Sequence, residues 1–162
     1  MTENPTKEEE KDLQGTLDAV EGFLSSERDY VEDSLRKLFE VFYTRLNVHI
    51  KLKRAIIEQK DIVSIFGNIE TLYVANSKLY SDLLGLRMKG RQELKEGLGK
   101  TMQDFIPYLK VYTDYIVKTK ERNDKVEELK KSNKKFREFV KINGFVKKKY
   151  IYIILCICYT YT

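Results

Sequence analysis

The sequence is poor in the residues that would point to catalytic chemistry. Its 162 residues include two cysteines, two prolines, one histidine and no tryptophan. Both cysteines, Cys156 and Cys158, lie in the last seven positions, so no disulfide framework can be built. A lone C-x-C pair without nearby histidines is not a zinc site, which needs four ligands. His49 is the sole histidine, which leaves no Ser-His-Asp or Cys-His arrangement, and no glycine-rich phosphate loop is present. The opening Met-Thr-Glu-Asn-Pro is acidic and polar, unlike a secretory signal, and the expected compartment is the reducing cytosol. With Pro5 and Pro107 alone to interrupt it, and Leu, Ile, Glu and Lys abundant, the chain reads as all-α.

Charge is unevenly spread. The formal net charge is +5, but Met1–Asp12 carries a net −3, Leu13–Leu129 sums to zero, and Lys130–Lys149 carries nine basic residues against one acid. The basic balance is therefore local to the C-terminal part. A solvated lysine-rich face accounts for it, and weak contact with an anionic membrane is the functional alternative. The helical body gives no reason to expect nucleic acid.

One stretch organises the rest. At ~100° per residue, Leu13, Leu17, Val20, Leu24, Val31, Leu35, Leu38, Phe42 and Leu46 fall in one apolar stripe. Phe23, Tyr30 and Val41 widen it on one flank and Phe39 on the other. An unbroken helix over this run measures about 50 Å at ~1.5 Å per residue, which implies an elongated helical bundle. Glu27 falls about 40° from the stripe centre by the same angular count. The simplest expectation places it solvated at the rim, where replacement by alanine changes stability by less than about 0.5 kcal/mol. Alternatively, Ser26 and Asp29 form a capping box and the helix starts there.

Downstream, a second helical pattern begins near Asp61, a candidate N-cap, and runs through Ile62, Ile65, Ile69, Leu72, Asn76, Leu79 and Leu83. Gly67 inside it predicts a joint between two helices. Lys89–Lys100, with three glycines, reads as a loop. A third pattern spans Met102 to Leu129, with a kink or fresh start expected at Pro107. A short helix over Asn133–Ile142 should end at Asn143-Gly144. Met1–Asp12 reads as a disordered acidic lead. The segment 143–162 reads as a separate basic and apolar tail, whose apolar run is about half the ~20 residues a bilayer span needs.

Four of these segments together resemble the Dbl homology domain, the exchange-factor (RhoGEF) domain for Rho-type small GTPases. They are Leu24-Ser-Ser-Glu-Arg-Asp-Tyr-Val31, Ile65-Phe-Gly-Asn-Ile-Glu70, Phe105-Ile-Pro-Tyr-Leu-Lys-Val-Tyr112 with Tyr115, and Lys135-Phe-Arg-Glu-Phe139. Their order and spacing agree with the family over roughly Leu13 to Ile142. The resemblance implies an elongated all-α bundle that is not an enzyme and needs no cofactor. Such a bundle holds a Rho-family GTPase nucleotide-free by displacing its switch segments. It also implies that Glu27, the glutamate of Glu-Arg-x-Tyr, reaches the first switch of the GTPase. The family's third conserved region and last helix have no counterpart here. On that basis the domain is incomplete, exchange is weak or absent, and the tail matches no part of the family. A non-catalytic helical interaction module is the competing expectation. The location expected is cytoplasmic, with peripheral membrane contact through the C-terminal lysines.

Overall fold

A computed structural model describes residues 6–143, and every regular element among them is helical. The first is a single rod. Helix α1 (Lys7–Arg28) continues through two widened, π-type stretches, Asp29–Leu35 and Lys37–Thr44, into α2 (Arg45–Lys51). The residues at each join keep right-handed helical dihedrals, and the Arg36 N–H reaches back five residues to the Val31 carbonyl. At roughly 1.5 Å per residue the rod is about 70 Å long. It begins at Lys7, earlier than the acidic lead suggested, because Lys, Glu and Leu extend an already nucleated helix at little cost. The Ser26 hydroxyl donates to the Gly22 carbonyl at 3.0 Å, a mid-helix bond that excludes a capping-box start at that point.

The remaining helices are α3 (Gln59–Phe66), α4 (Ile69–Lys89), α5 (Arg91–Phe105), α6 (Lys110–Val117), α7 (Thr119–Ser132) and α8 (Lys134–Ile142). Helix α4 runs antiparallel to the rod. Arg87 pairs with Glu21 at 2.7 Å, Tyr73 stacks on Phe39 at 5.1 Å, and Phe66, just before α4, meets Tyr43 edge-on at 5.7 Å. Gly67, with φ at +53°, makes the joint between α3 and α4 expected from the sequence. Pro107 opens a 3-10 turn (Ile106–Leu109) between α5 and α6, where its missing N–H costs nothing.

Three expectations are corrected. Arg91–Phe105 is helical, not a loop, because Leu94, Leu98, Met102 and Phe105 keep helical spacing and pack with Leu79, Leu83 and Leu86. That burial outweighs the ~1 kcal/mol each interior glycine costs. Gly97 even suits the packing, since a Cβ there would lie 2.6 Å from the Leu86 side chain. Asp61 is not the N-cap of α3, which is Glu58; it lies inside the first turn, buried and paired with Lys125 of α7 at 3.1 Å. Glu27 is buried rather than at the rim. The short helix expected from Asn133 is present as α8, and the Asn133 side chain caps it, accepting from the Phe136 N–H at 3.0 Å. The tail and the first residues of the acidic lead lie outside the described residues.

Apolar side chains gather in two clusters along the rod. The smaller joins Val20 and Leu24 to Leu79, Leu83 and Leu94. The larger joins Tyr30, Leu35, Phe42 and Leu46 to α3, the start of α4, and α6 to α8.

Candidate functional site

Glu27 stands at the junction of these clusters. Leu24, one turn before it, belongs to the smaller cluster, and Tyr30, about one turn after it, to the larger. Helical spacing of three to four residues puts all three on the face turned toward α4. Glu27 is 7% exposed, and its Oε2 has no hydrogen-bond partner among the described residues. Burial pushes the carboxyl up from 4.5 to about 7, and no neighbouring cation opposes that shift. Near neutrality the group is therefore poised between its neutral and ionised forms. The rest of the motif alternates with it. Arg28 and Asp29 are exposed and pair with each other at 3.0 Å, while Tyr30 is buried. Burial, and then the neighbouring Tyr112, push the Tyr30 phenol upward, and its hydroxyl lacks a well-formed hydrogen bond.

A buried polar line continues from this point across the larger cluster. The Tyr112 hydroxyl donates to Asn76 Oδ1 at 2.6 Å, and the Asn76 amide donates to the Leu72 carbonyl at 2.7 Å. Further along, the Arg122 guanidinium lies over the Tyr115 ring, 4.1 Å from its centroid, and donates to the Tyr115 carbonyl. Desolvation lowers the Arg122 pKa, as expected for a cation that meets a ring and a carbonyl instead of a carboxylate. It packs against Gly67, where a Cβ would overlap its guanidinium. Asn76 was visible in the sequence as a polar residue on an apolar stripe. Arg122 gave no comparable signal, because one arginine in a highly charged helix is indistinguishable from its neighbours by spacing.

The surface near Pro107 is of a different kind. Ile106, Tyr108 and Leu109 are half-exposed, and Tyr108 faces the exposed Val74 of α4 across a shallow cleft of about 360 Å³. The Phe105–Tyr112 segment thus divides its work. Tyr112 serves the core, and the turn leaves its apolar side chains exposed.

The fold and the site together define a class: an all-α bundle built along one long helix, with the glutamate of a Glu-Arg-x-Tyr segment buried between two cores. A family model described as the RhoGEF domain matches residues 19–149, and the chain belongs to that family. The match includes Glu27 and runs past Ile142 to Lys149. Two relatives come from Dictyostelium discoideum. The chain is 33% identical over 109 residues to a myosin-M heavy chain, covering 66% of this chain and 6% of that protein. It is 30% identical over 96 residues to the RhoGEF domain-containing protein gxcJ, covering 59% of this chain and 7% of that protein. The chain therefore spans only a small part of the length of these relatives. No solved structure matches it.

Proposed function

We propose that this chain binds a Rho-family small GTPase as a guanine nucleotide exchange module, and that it is a weak exchanger in the conformation described above. Membership of the RhoGEF family supports the first half. The observation that carries the second is the burial of Glu27. A carboxylate aimed at a switch segment must be accessible and ionised, and here it is 7% exposed with its pKa raised to about 7. An exchange factor lowers the barrier to nucleotide release only through binding energy expressed in the nucleotide-free complex. Energy used to open the seam and ionise Glu27 is subtracted from that. The unpaired Oε2 agrees with this reading, since a buried polar atom without a partner inside the fold is suited to a donor from outside.

The test is a pull-down of nucleotide-free Rho-type GTPases on immobilised chain, combined with fluorescent-nucleotide release. Retention of a GTPase, reduced tenfold or more by Glu27→Ala, together with slow release, is the expected result; tenfold corresponds to about 1.4 kcal/mol. Fast release by the unmodified chain would refute the weak-exchanger half, and no retention of any Rho-type GTPase would refute both. A second reading, a non-catalytic helical interaction module, draws on the exposed Val74, Ile106, Tyr108 and Leu109. Retention of GTPase with no acceleration of release at any protein concentration would favour it.

A further inference from the structure

We propose that the end of the bundle formed by α2, the α2–α3 turn and α8 docks on anionic lipid bilayers. The fold brings two basic segments together there that are far apart in sequence. Helix α8 lies antiparallel to α2: Arg45 donates to Asn143 Oδ1 at 2.8 Å, the His49 and Phe139 rings meet at 6.4 Å, and the Asn133 amide donates to the Ile56 carbonyl at 2.8 Å. The connection after α2 is fixed rather than slack. The Lys53 N–H bonds the Ile50 carbonyl and the Arg54 N–H the His49 carbonyl, both at 2.9 Å, and Lys53 is held at a φ of +55°. This turn presents Lys51, Leu52, Lys53 and Arg54 outward, all exposed.

Charge on this end is one-sided after local pairing. Glu58 pairs with Lys60, Asp61 and Glu128 with Lys125, Glu127 with Lys130, and Glu138 with Lys134. Lys51, Lys53, Arg54, Lys131, Lys135 and Lys141 remain, with no ion pair to any described residue. Exposed aliphatic side chains lie among them, Val48, Leu52 and Ile142, the last 82% exposed, together with the polar Gln59 and Ser132. Cations interleaved with aliphatic side chains suit a headgroup–acyl boundary. Nucleic acid would favour aromatic faces for stacking instead. In sequence, three more lysines (Lys147–Lys149) and an apolar run follow α8, the same composition carried further. The inference does not depend on the exchange reading.

Sedimentation of the full chain with vesicles of phosphatidylcholine alone, or mixed with phosphatidylserine, tests it. Binding should require phosphatidylserine and weaken with added salt. A basic residue near an anionic surface is worth about fivefold in partitioning, so Lys51→Glu/Lys53→Glu/Arg54→Glu should weaken binding roughly tenfold or more. A second variant on the other segment, Lys135→Glu/Lys141→Glu, should do the same, and it decides the matter if the first loses its helical circular dichroism signal. Equal binding by folded variants and unmodified chain would place any lipid affinity outside this end and overturn the proposal. So would absence of binding, or equally tight binding to a DNA duplex.

Discussion

Replacing Glu27 with glutamine should change how stability depends on pH. The carboxyl titrates near 4.5 when free and at about 7 in the folded bundle, where desolvation is the cause. At ~1.36 kcal/mol per unit, ionising it in place costs about 3 kcal/mol. The sign follows from which state holds the proton. Below about pH 4.5 both states are protonated and Glu27 contributes no pH-dependent cost. From there to about pH 7 the folded chain binds a proton the unfolded chain has released, so stability falls as pH rises. Above about pH 7 the loss levels off near its full value. Glutamine has nearly the same shape and never ionises, so the variant lacks this component. Its stability relative to the unmodified chain should rise by up to about 3 kcal/mol between about pH 5 and about pH 8.

Urea denaturation of both proteins at the two pH values measures the difference. Effects of the new amide that do not vary with pH cancel in the comparison. Parallel pH profiles would refute the reasoning, because they would mean that Glu27 titrates alike folded and unfolded and is solvated after all. A carbon-detected NMR titration of the Glu27 carboxyl gives the same answer directly, with a midpoint near 4.5 as the refuting result.

Tyr112→Phe removes the donor to Asn76 Oδ1 and leaves a buried acceptor unsatisfied, which should cost about 1–3 kcal/mol in the same denaturation assay. Gly67→Ala forces a side chain into a φ of +53° and against the Arg122 guanidinium, and should lower stability by at least ~1 kcal/mol; a neutral result would mean the α3–α4 joint is free to rearrange.

The helical class, the Gly67 joint, the fresh start at Pro107 and the short helix from Asn133 were all legible, because each rests on local chemistry: spacing, backbone freedom, a missing donor. Helix α5 was not, although its apolar spacing was present. Counting glycines there weighed local entropy and omitted the α4 surface that the helix covers. Asp61 failed in the same way. A good N-cap residue was read as a cap, and only the approach of α7 shows that it pairs with Lys125. Arg122 needed the tertiary fold outright, since its partners are a ring seven residues away, that residue's carbonyl, and the glycine of the α3–α4 joint.

Glu27 sits between these cases. Its angle, about 40° from the stripe centre, was read as an edge. Yet the displacement is toward the flank that carries Phe23 and Tyr30, and Tyr30 is only 3% exposed. A residue between an apolar stripe and a buried flank is interior, so its burial followed from residues already in view once the stripe was taken as broad. Its lack of a partner did not. That depends on the Tyr30 hydroxyl failing to reach it and on no cation of α4 or α5 pointing inward, which are facts of side-chain placement. The same placement bears on function: a partner that supplies donors to the ionised group offsets the ~3 kcal/mol that desolvation costs it in the free bundle. A Glu27 substitution that weakens GTPase retention while leaving the denaturation curve intact acts through that contact, and one that lowers both acts by disturbing the junction of the two cores.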